Sequence, residues 1–179
     1  MELVKPRKGI ITGFMGAGKS EAGLAVANRL GFQHADTDRV FEERHGPIEN
    51  YLPERDKLFR TLEREIFREF LGSKEDFIIS TGGGTLVNDF TGIANCDDAW
   101  DTGTVVVLKV SFEVAAQRKR DDPKKTKRPF FNDENKARAL FESRQSLYEK
   151  AAHITIDANR PVEDVAAEVV EALEAYWNS

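Results

Sequence analysis

The stretch GFMGAGKS, Gly13 to Ser20, combines residue types and a spacing suited to holding a phosphate. It fits the pattern G-x-x-x-x-G-K-[ST], in which glycines let backbone N–H groups turn inward around an anion. Lys19 supplies a cation to the terminal phosphates, and Ser20 offers its hydroxyl to Mg²⁺. The loop follows an apolar strand and opens a helix, whose N-terminal end attracts anions. The motif therefore predicts a nucleotide site, made of Gly13, Gly16, Ala17, Gly18, Lys19, Ser20 and Glu21.

Two carboxylates, Asp36 and Asp38, stand two residues apart in HADTDRV, which follows this helix. In an extended segment residues i and i+2 face the same way, so both side chains can enter one cleft. Beside a magnesium nucleotide, one carboxylate suits the ordering of metal-bound water, and the other suits accepting a proton from an attacking hydroxyl. By itself, the pattern also fits solvated aspartates in a turn.

Two further stretches suggest a second ligand. In LFRTLERE, Arg60 and Glu63 are three residues apart on a predicted helix and can pair, which suits either a surface ion pair or a guanidinium held ready for a carboxylate. STGGG places three glycines, Gly82 to Gly84, directly after the FIIS run. Such a loop lets a ligand approach the backbone at the carboxyl end of a strand, although it also fits a tight turn.

Alternating strand and helix patterns would bring these residues to one edge of a sheet. Short runs rich in Ile and Val predict buried parallel strands at Gly9–Thr12, Phe77–Ser80, Thr104–Val110 and His153–Asp157. Helical patterns occupy Glu21–Leu30, Pro53–Leu71, Phe112–Lys119, Asn135–Ala151 and Val162–Tyr176. This order predicts a three-layer α/β fold with a mostly parallel sheet. The length of 179 residues fits one domain over residues 1–179.

One segment fits neither pattern. Lys119–Glu134, KRDDPKKTKRPFFNDE, is dense in charge and holds two prolines. We expect neither strand nor helix there. A solvated surface loop and a lid that closes over a ligand are both compatible with this composition.

Composition narrows the class of protein. The net charge of −5 argues against non-specific binding to nucleic acid, which needs a positive face. A single cysteine, Cys96, excludes an intrachain disulfide and is compatible with a reducing compartment. The sequence shows neither a signal peptide nor a membrane span, so we expect a cytoplasmic protein without a membrane partner.

Six motifs in order resemble those of the shikimate kinases over nearly the full length of the chain. That family carries G-x-x-G-x-G-K-S, D-T-D, F-R with a following Glu, G-G-G, an R-P-L-L lid motif and a late Arg before a Tyr. The corresponding stretches here are GFMGAGKS, DTD, FRTLE, GGG, RPFF and RQSLY. The resemblance implies an ATP-dependent, Mg²⁺-using phosphotransferase of aromatic amino-acid biosynthesis that phosphorylates the 3-hydroxyl of shikimate. It also implies a monomer with a P-loop kinase fold: a five-stranded parallel sheet flanked by helices, with a mobile lid at about 119–134.

The resemblance also implies roles at matching positions. Lys19 and Ser20 would serve the nucleotide phosphates and Mg²⁺, with Asp36 near the metal, and Asp38 would hold the acceptor hydroxyl and act as base. Arg60 and Arg144 would clamp the substrate carboxylate, with backbone contacts from Gly82, Gly83 and Gly84. Arg118, Arg160 and Pro161 would form the adenine pocket. Arg128 of the lid would lie at the transferring phosphoryl group.

The chain departs from the family pattern at four places. Glu21 replaces a common Thr and would repel a triphosphate unless its side chain points away. The stretch PERDKLFR lacks the usual Gly-Glu, with Asp56 as a stand-in for the Glu. Phe130 and Phe131 replace two lid leucines, and GGGTLV changes the end of the tri-glycine motif. Two alternatives therefore stay open: a kinase for another small hydroxy acid such as gluconate, and a kinase-derived nucleotide-binding regulatory domain without turnover.

Overall fold

Strands and helices alternate in a computed structural model, which describes residues 5–88, 92–93, 96–122 and 133–179. The strands are β1 Lys8–Thr12, β2 Gln33–Asp36, β3 Phe77–Ser80, β4 Val87–Asn88, β5 Gly92–Ile93, β6 Thr104–Lys109 and β7 Ile154–Asp157. The helices are α1 Lys19–Leu30, α2 Thr37–His45, α3 Asp56–Leu71, α4 Cys96–Thr102, α5 Phe112–Asp121, α6 Glu134–Ala151 and α7 Val162–Trp177, with a 3₁₀ turn at Ile48–Asn50.

The main sheet has five parallel strands in the order β2-β3-β1-β6-β7, which confirms the predicted fold class. Its strands are short and mostly buried because helices cover both faces of a parallel sheet. The register pairs Ser80 of β3 with Asp36 of β2 and with Ile11 of β1. The segments that follow these three strands, which carry the phosphate loop, the D-T-D motif and the tri-glycine motif, therefore start side by side.

One main hydrophobic core fills the space between the sheet and its helices, and α1 packs against α7 on one face. Two smaller clusters lie apart from it. Phe41, Phe59 and Ile66 join α2 to α3, while Phe112 and Phe141 are among the residues that join α5 to α6. The first of these clusters fixes the helices that carry Asp38 and Arg60 relative to one another, and the second fixes the helix that carries Arg144 against α5.

The structure corrects several predicted bounds. Helix α1 begins at Lys19 and α3 at Asp56, two residues earlier and three residues later than predicted. The charged segment is also shorter than predicted, because α5 continues to Asp121 and α6 begins at Glu134, where Asp133 caps it through bonds from the N–H groups of residues 135 and 136. Within the described residues, no helix is both long and apolar enough to cross a membrane.

Candidate active site

The phosphate loop turns tightly between β1 and α1. Gly16 has φ +83°, and a Cβ built on it would lie 2.5 Å from the carbonyl oxygen of Ala115, so this position accepts only glycine. The loop is closed by a hydrogen bond from the N–H of Ala17 to the carbonyl of Phe14 at 3.1 Å. Helix α1 starts at once, with Gly18 as its N-cap. Its first N–H groups are thus directed at the loop, where they favour an anion.

The cation and hydroxyl of the motif are both held within reach of this loop. Lys19 Nζ donates to the carbonyl of Phe14 at 3.0 Å, and the hydroxyl of Ser20 donates to Oδ2 of Asp36. The two residues proposed for a metal, Ser20 and Asp36, are therefore in direct contact. Glu21 lies in the first turn of α1 with an exposed side chain. Its negative charge interacts favourably with the positive N-terminal end of the helix dipole.

The sequence predicted an extended segment for the D-T-D motif, and this prediction is wrong. Strand β2 ends at Asp36, which is the N-cap of α2 and accepts from the N–H of Arg39 at 3.1 Å. Aspartate at an N-cap starts a helix by pairing with an otherwise unpaired backbone donor, so Asp38 falls in the first turn of α2. The helix directs the two carboxylates differently: Asp36 contacts Ser20, and Asp38 faces the tri-glycine loop.

Each glycine of the buried loop Gly82–Gly84 is approached by a different functional group. A Cβ built on Gly82 would lie 2.6 Å from Oδ1 of Asp38. One built on Gly83 would lie 3.5 Å from the carbonyl oxygen of Gly13 and 3.7 Å from Nη1 of Arg144, and one on Gly84 would lie 2.7 Å from Nη1 of Arg60. A Cβ would clash at Gly82 and at Gly84, so these two positions need glycine for close approach, whereas the distances at Gly83 are ordinary van der Waals contacts. The loop is where the predicted base, the phosphate loop and both predicted carboxylate-binding arginines meet.

Arg60 and Glu63 form the predicted pair on α3, and it is not a surface pair. Arg60 Nη1 donates to Oε2 of Glu63 at 2.8 Å, and Arg60 Nε lies 3.5 Å from Asp56. Glu63 is 3% exposed and also accepts from the hydroxyl of Thr85 at 2.7 Å. Burial raises the pKa of Glu63; Arg60 opposes this effect, and Asp38 adds to it. Although burial alone would lower the pKa of Arg60, the carboxylates around it raise it, which keeps a fixed cation in the site.

Helix α6 brings Arg144 close to Gly83 of the loop. Arg144 is 4% exposed, and Tyr148, one turn later, donates from its hydroxyl to the carbonyl of Gly83 at 2.5 Å. Phe141 of the same helix packs edge-on against Phe14 of the phosphate loop, with ring centroids 5.0 Å apart. One helix therefore contacts both the phosphate loop and the tri-glycine loop.

Arg118, Arg160 and Pro161, which were predicted to form an adenine pocket, lie together next to Gly16 of the phosphate loop. Arg118 donates to the carbonyls of Gly16 at 3.2 Å, Ala158 at 2.8 Å and Arg160 at 3.1 Å. Arg160 itself pairs with Glu168, and Pro161 is the N-cap of α7. Arg118 thus links the phosphate loop to the segment between β7 and α7. Arg128, Phe130 and Phe131 of the predicted lid lie outside the described residues.

Several residues that support the site were missed in the sequence. The hydroxyl of Thr37 accepts from the N–H of Gly82 at 3.2 Å, and Ser80 donates to the carbonyl of Lys19 at 3.0 Å while contacting His34. Burial lowers the pKa of His34. Tyr148 belongs to the quoted motif RQSLY but received no role there, although it follows Arg144 by four residues and so shares its helix face. The other contacts depend on tertiary structure.

The fold and the loop together define a P-loop nucleotide-binding protein: a parallel sheet whose central strand leads into the phosphate loop and then into a helix. The model of the shikimate kinase family matches residues 15–174. A shikimate kinase from Thermus thermophilus is 36% identical over 97% of this chain and 94% of its own length. One from Salinibacter ruber is 33% identical over 95% of this chain and 86% of its own length.

A solved structure agrees with these sequence matches. The shikimate kinase from Acinetobacter baumannii in complex with shikimate superposes with a TM-score of 0.83, at 30% identity, over 96% of this chain and 94% of that one. The chain belongs to the shikimate kinase family. It is accordingly an ATP-dependent transferase acting as a shikimate kinase.

Proposed function

We propose that this enzyme transfers the γ-phosphoryl group of ATP directly to the 3-hydroxyl of shikimate, with the acceptor held at the loop Gly82–Gly84. One observation carries the proposal: Asp38, Arg60, Arg144 and the phosphate loop all meet at these three glycines. A small polyol with one carboxylate needs this combination of a carboxylate near a hydroxyl, fixed cations and a neighbouring nucleotide. Since every group comes from one chain, a monomer suffices for catalysis.

The nucleotide end uses the phosphate loop. The inward N–H groups of Gly13–Ser20 hold the β-phosphate, and Lys19 exchanges the carbonyl of Phe14 for the β- and γ-phosphates. Ser20 and Asp36 fit Mg²⁺, because a hydroxyl and a carboxylate beside phosphates are hard oxygen donors. Mg²⁺ held by these two side chains would neutralise charge on the nucleotide phosphates. Arg118, Arg160 and Pro161 border the adenine.

At the acceptor end, Arg60 beside Gly84 and Arg144 beside Gly83 bind the shikimate carboxylate together. Glu63 holds Arg60 in place, so the guanidinium fork is oriented before the ligand arrives and less freedom is lost on binding. Asp38 accepts a hydrogen bond from the 3-hydroxyl and takes its proton as the oxygen attacks the γ-phosphorus in line. Arg128 approaches the transferring group when the lid closes and water is excluded.

Steady-state turnover with Mg-ATP tests the proposal against shikimate, quinate, gluconate and a blank without acceptor. We expect saturable turnover with shikimate and only background with the others. Turnover with gluconate but not shikimate would keep a kinase and overturn the acceptor. ATP binding without turnover on any acceptor would move the chain to the nucleotide-binding regulatory domains.

A further inference from the structure

Tyr148 is a buried tyrosine whose polar end reaches the acceptor loop. It is 3% exposed, and its hydroxyl donates to the carbonyl of Gly83 at 2.5 Å. A Cβ built on Gly83 would lie 3.5 Å from this hydroxyl and 3.7 Å from Arg144 Nη1. Tyr148 and Arg144 are four residues apart on α6, so they approach the loop from the same helix face. The roles assigned above use Arg144 but not Tyr148.

The hydrogen bond from Tyr148 fixes the direction of the peptide between Gly83 and Gly84. In a trans peptide the carbonyl and the following N–H point in opposite directions. Because the carbonyl of Gly83 faces Tyr148, the N–H of Gly84 is directed away from Tyr148. Glycines place few limits on their backbone angles, so a peptide between two of them needs an external group to hold its orientation. A hydrogen bond in a buried, low-dielectric setting supplies that constraint.

We propose that Tyr148 is a positioning residue for the acceptor: it orients the Gly83–Gly84 peptide so that the N–H of Gly84 donates to bound shikimate beside Arg60. The guanidinium of Arg60 lies against Gly84, so a ligand held by Arg60 is close to this N–H. Tyr148 touches no reacting atom and acts only through the peptide. The inference rests on the proposed function, because shikimate is the ligand that receives the bond.

Replacing Tyr148 by phenylalanine removes one oxygen and keeps the ring. Losing this bond leaves a buried carbonyl unpaired and frees the peptide, so we expect the KM for shikimate to rise by about tenfold. The KM for ATP and kcat should stay within about threefold, since the phosphate loop and Asp38 are untouched. Tyr51→Phe is the matched control, because Tyr51 also donates to a backbone carbonyl, that of His45 at 3.2 Å. Its kinetics should be those of the wild type.

Two outcomes would overturn the role of Tyr148 while the wild type turns over shikimate normally. One is an unchanged KM for shikimate in Tyr148→Phe. The other is an equal rise in the KM values for shikimate and ATP, which indicates general loosening. Wild-type enzyme without shikimate turnover would overturn the proposed function and this inference together.

A measurement on the wild type keeps the test valid if Tyr148→Phe does not fold. We expect the amide proton resonance of Gly84 to move downfield on saturation with shikimate, because its N–H gains an acceptor, and to stay in place with Mg-ADP alone. A Gly84 resonance that does not move with shikimate would overturn the inference.

Discussion

Replacing Arg60 by alanine should show how far the acceptor site depends on one buried ion pair. Arg60 donates to Glu63 at 2.8 Å, and the Glu63 side chain is only 3% exposed. Burial raises the pKa of Glu63, and Arg60 is the main influence in the opposite direction. The substitution therefore removes a proposed shikimate ligand and also leaves a buried carboxylate without its principal counter-ion.

The expected loss of stability is large and depends on pH. Removing one partner of a buried pair costs about 3–5 kcal/mol, which for a domain of this size lowers Tm by about 10 °C. Without Arg60 the folded-state pKa of Glu63 rises further above its unfolded value. The penalty falls on the ionised carboxylate, so stability is retained below the unfolded pKa of about 4.3 and is lost as pH rises towards the folded pKa. The deficit relative to wild type should be small at pH 4 and large at pH 8.

Thermal unfolding at pH 4 and pH 8 measures this dependence. Arg64→Ala is the matched control, because Arg64 lies on the same helix with an exposed side chain and should change Tm little at either pH. Adding Glu63→Gln to Arg60→Ala removes the buried charge and should restore part of the loss at pH 8. An equal fall in Tm at both pH values, or no recovery in the double variant, would mean that the buried Glu63 carboxylate does not cause the loss of stability.

The kinetics of the same variant test the clamp. Hydrogen bonds to charged groups contribute about 1.5–3 kcal/mol each, so the KM for shikimate should rise at least about tenfold. The KM for ATP should stay close to that of the wild type, because Arg60 lies on the acceptor side. An unchanged KM for shikimate would mean that the carboxylate binds elsewhere.

Three other substitutions probe the remaining parts of the site. Lys19→Ala should lower kcat by several orders of magnitude without lowering Tm, and a kcat near wild type would remove Lys19 from the chemistry. Asp38→Asn should lower kcat by about 10²–10⁴-fold, since general-base catalysis and the hydroxyl contact are both lost; near-normal turnover would rule out both roles. Gly84→Ala places a Cβ 2.7 Å from Arg60 Nη1 and should raise the KM for shikimate, whereas a Cβ on Gly72 meets nothing closer than 3.4 Å and Gly72→Ala should leave kinetics unchanged.

The central strands and the long helices could be predicted because each has a strong local pattern. FIIS at Phe77–Ser80 is an apolar run too short for a helix, and the structure has β3 with these bounds. Helix α2 was missed, because DRVFEERH has little apolar periodicity and one deeply buried side chain, Phe41. Because α2 was missed, the sequence predicted an extended segment at the D-T-D motif. In the structure the capping bond of Asp36 starts the helix that carries Asp38.

The site could be predicted from motifs but not its supporting contacts. Gly82–Gly84 were recognised from composition, yet the groups that approach them come from helices distant in sequence. Tyr148 and Gly83 are 65 residues apart, and Thr85 and Glu63 are 22 apart. Helix packing brings such pairs together, and local sequence patterns do not predict how distant helices pack. The environment of Glu63 likewise follows from its complete burial, since the spacing from Arg60 fits a surface pair equally well.

Product analysis shows whether the phosphoryl group reaches the 3-hydroxyl of shikimate. The enzyme is incubated with Mg-ATP and shikimate, and the products are followed by ³¹P–¹H correlation NMR. Transfer at the proposed site predicts ADP and a phosphate ester in equal amounts, with the phosphorus coupled to the proton on carbon 3 of shikimate. Inorganic phosphate in place of the ester, or an ester on another hydroxyl, would mean that the enzyme does not transfer the phosphoryl group to the 3-hydroxyl.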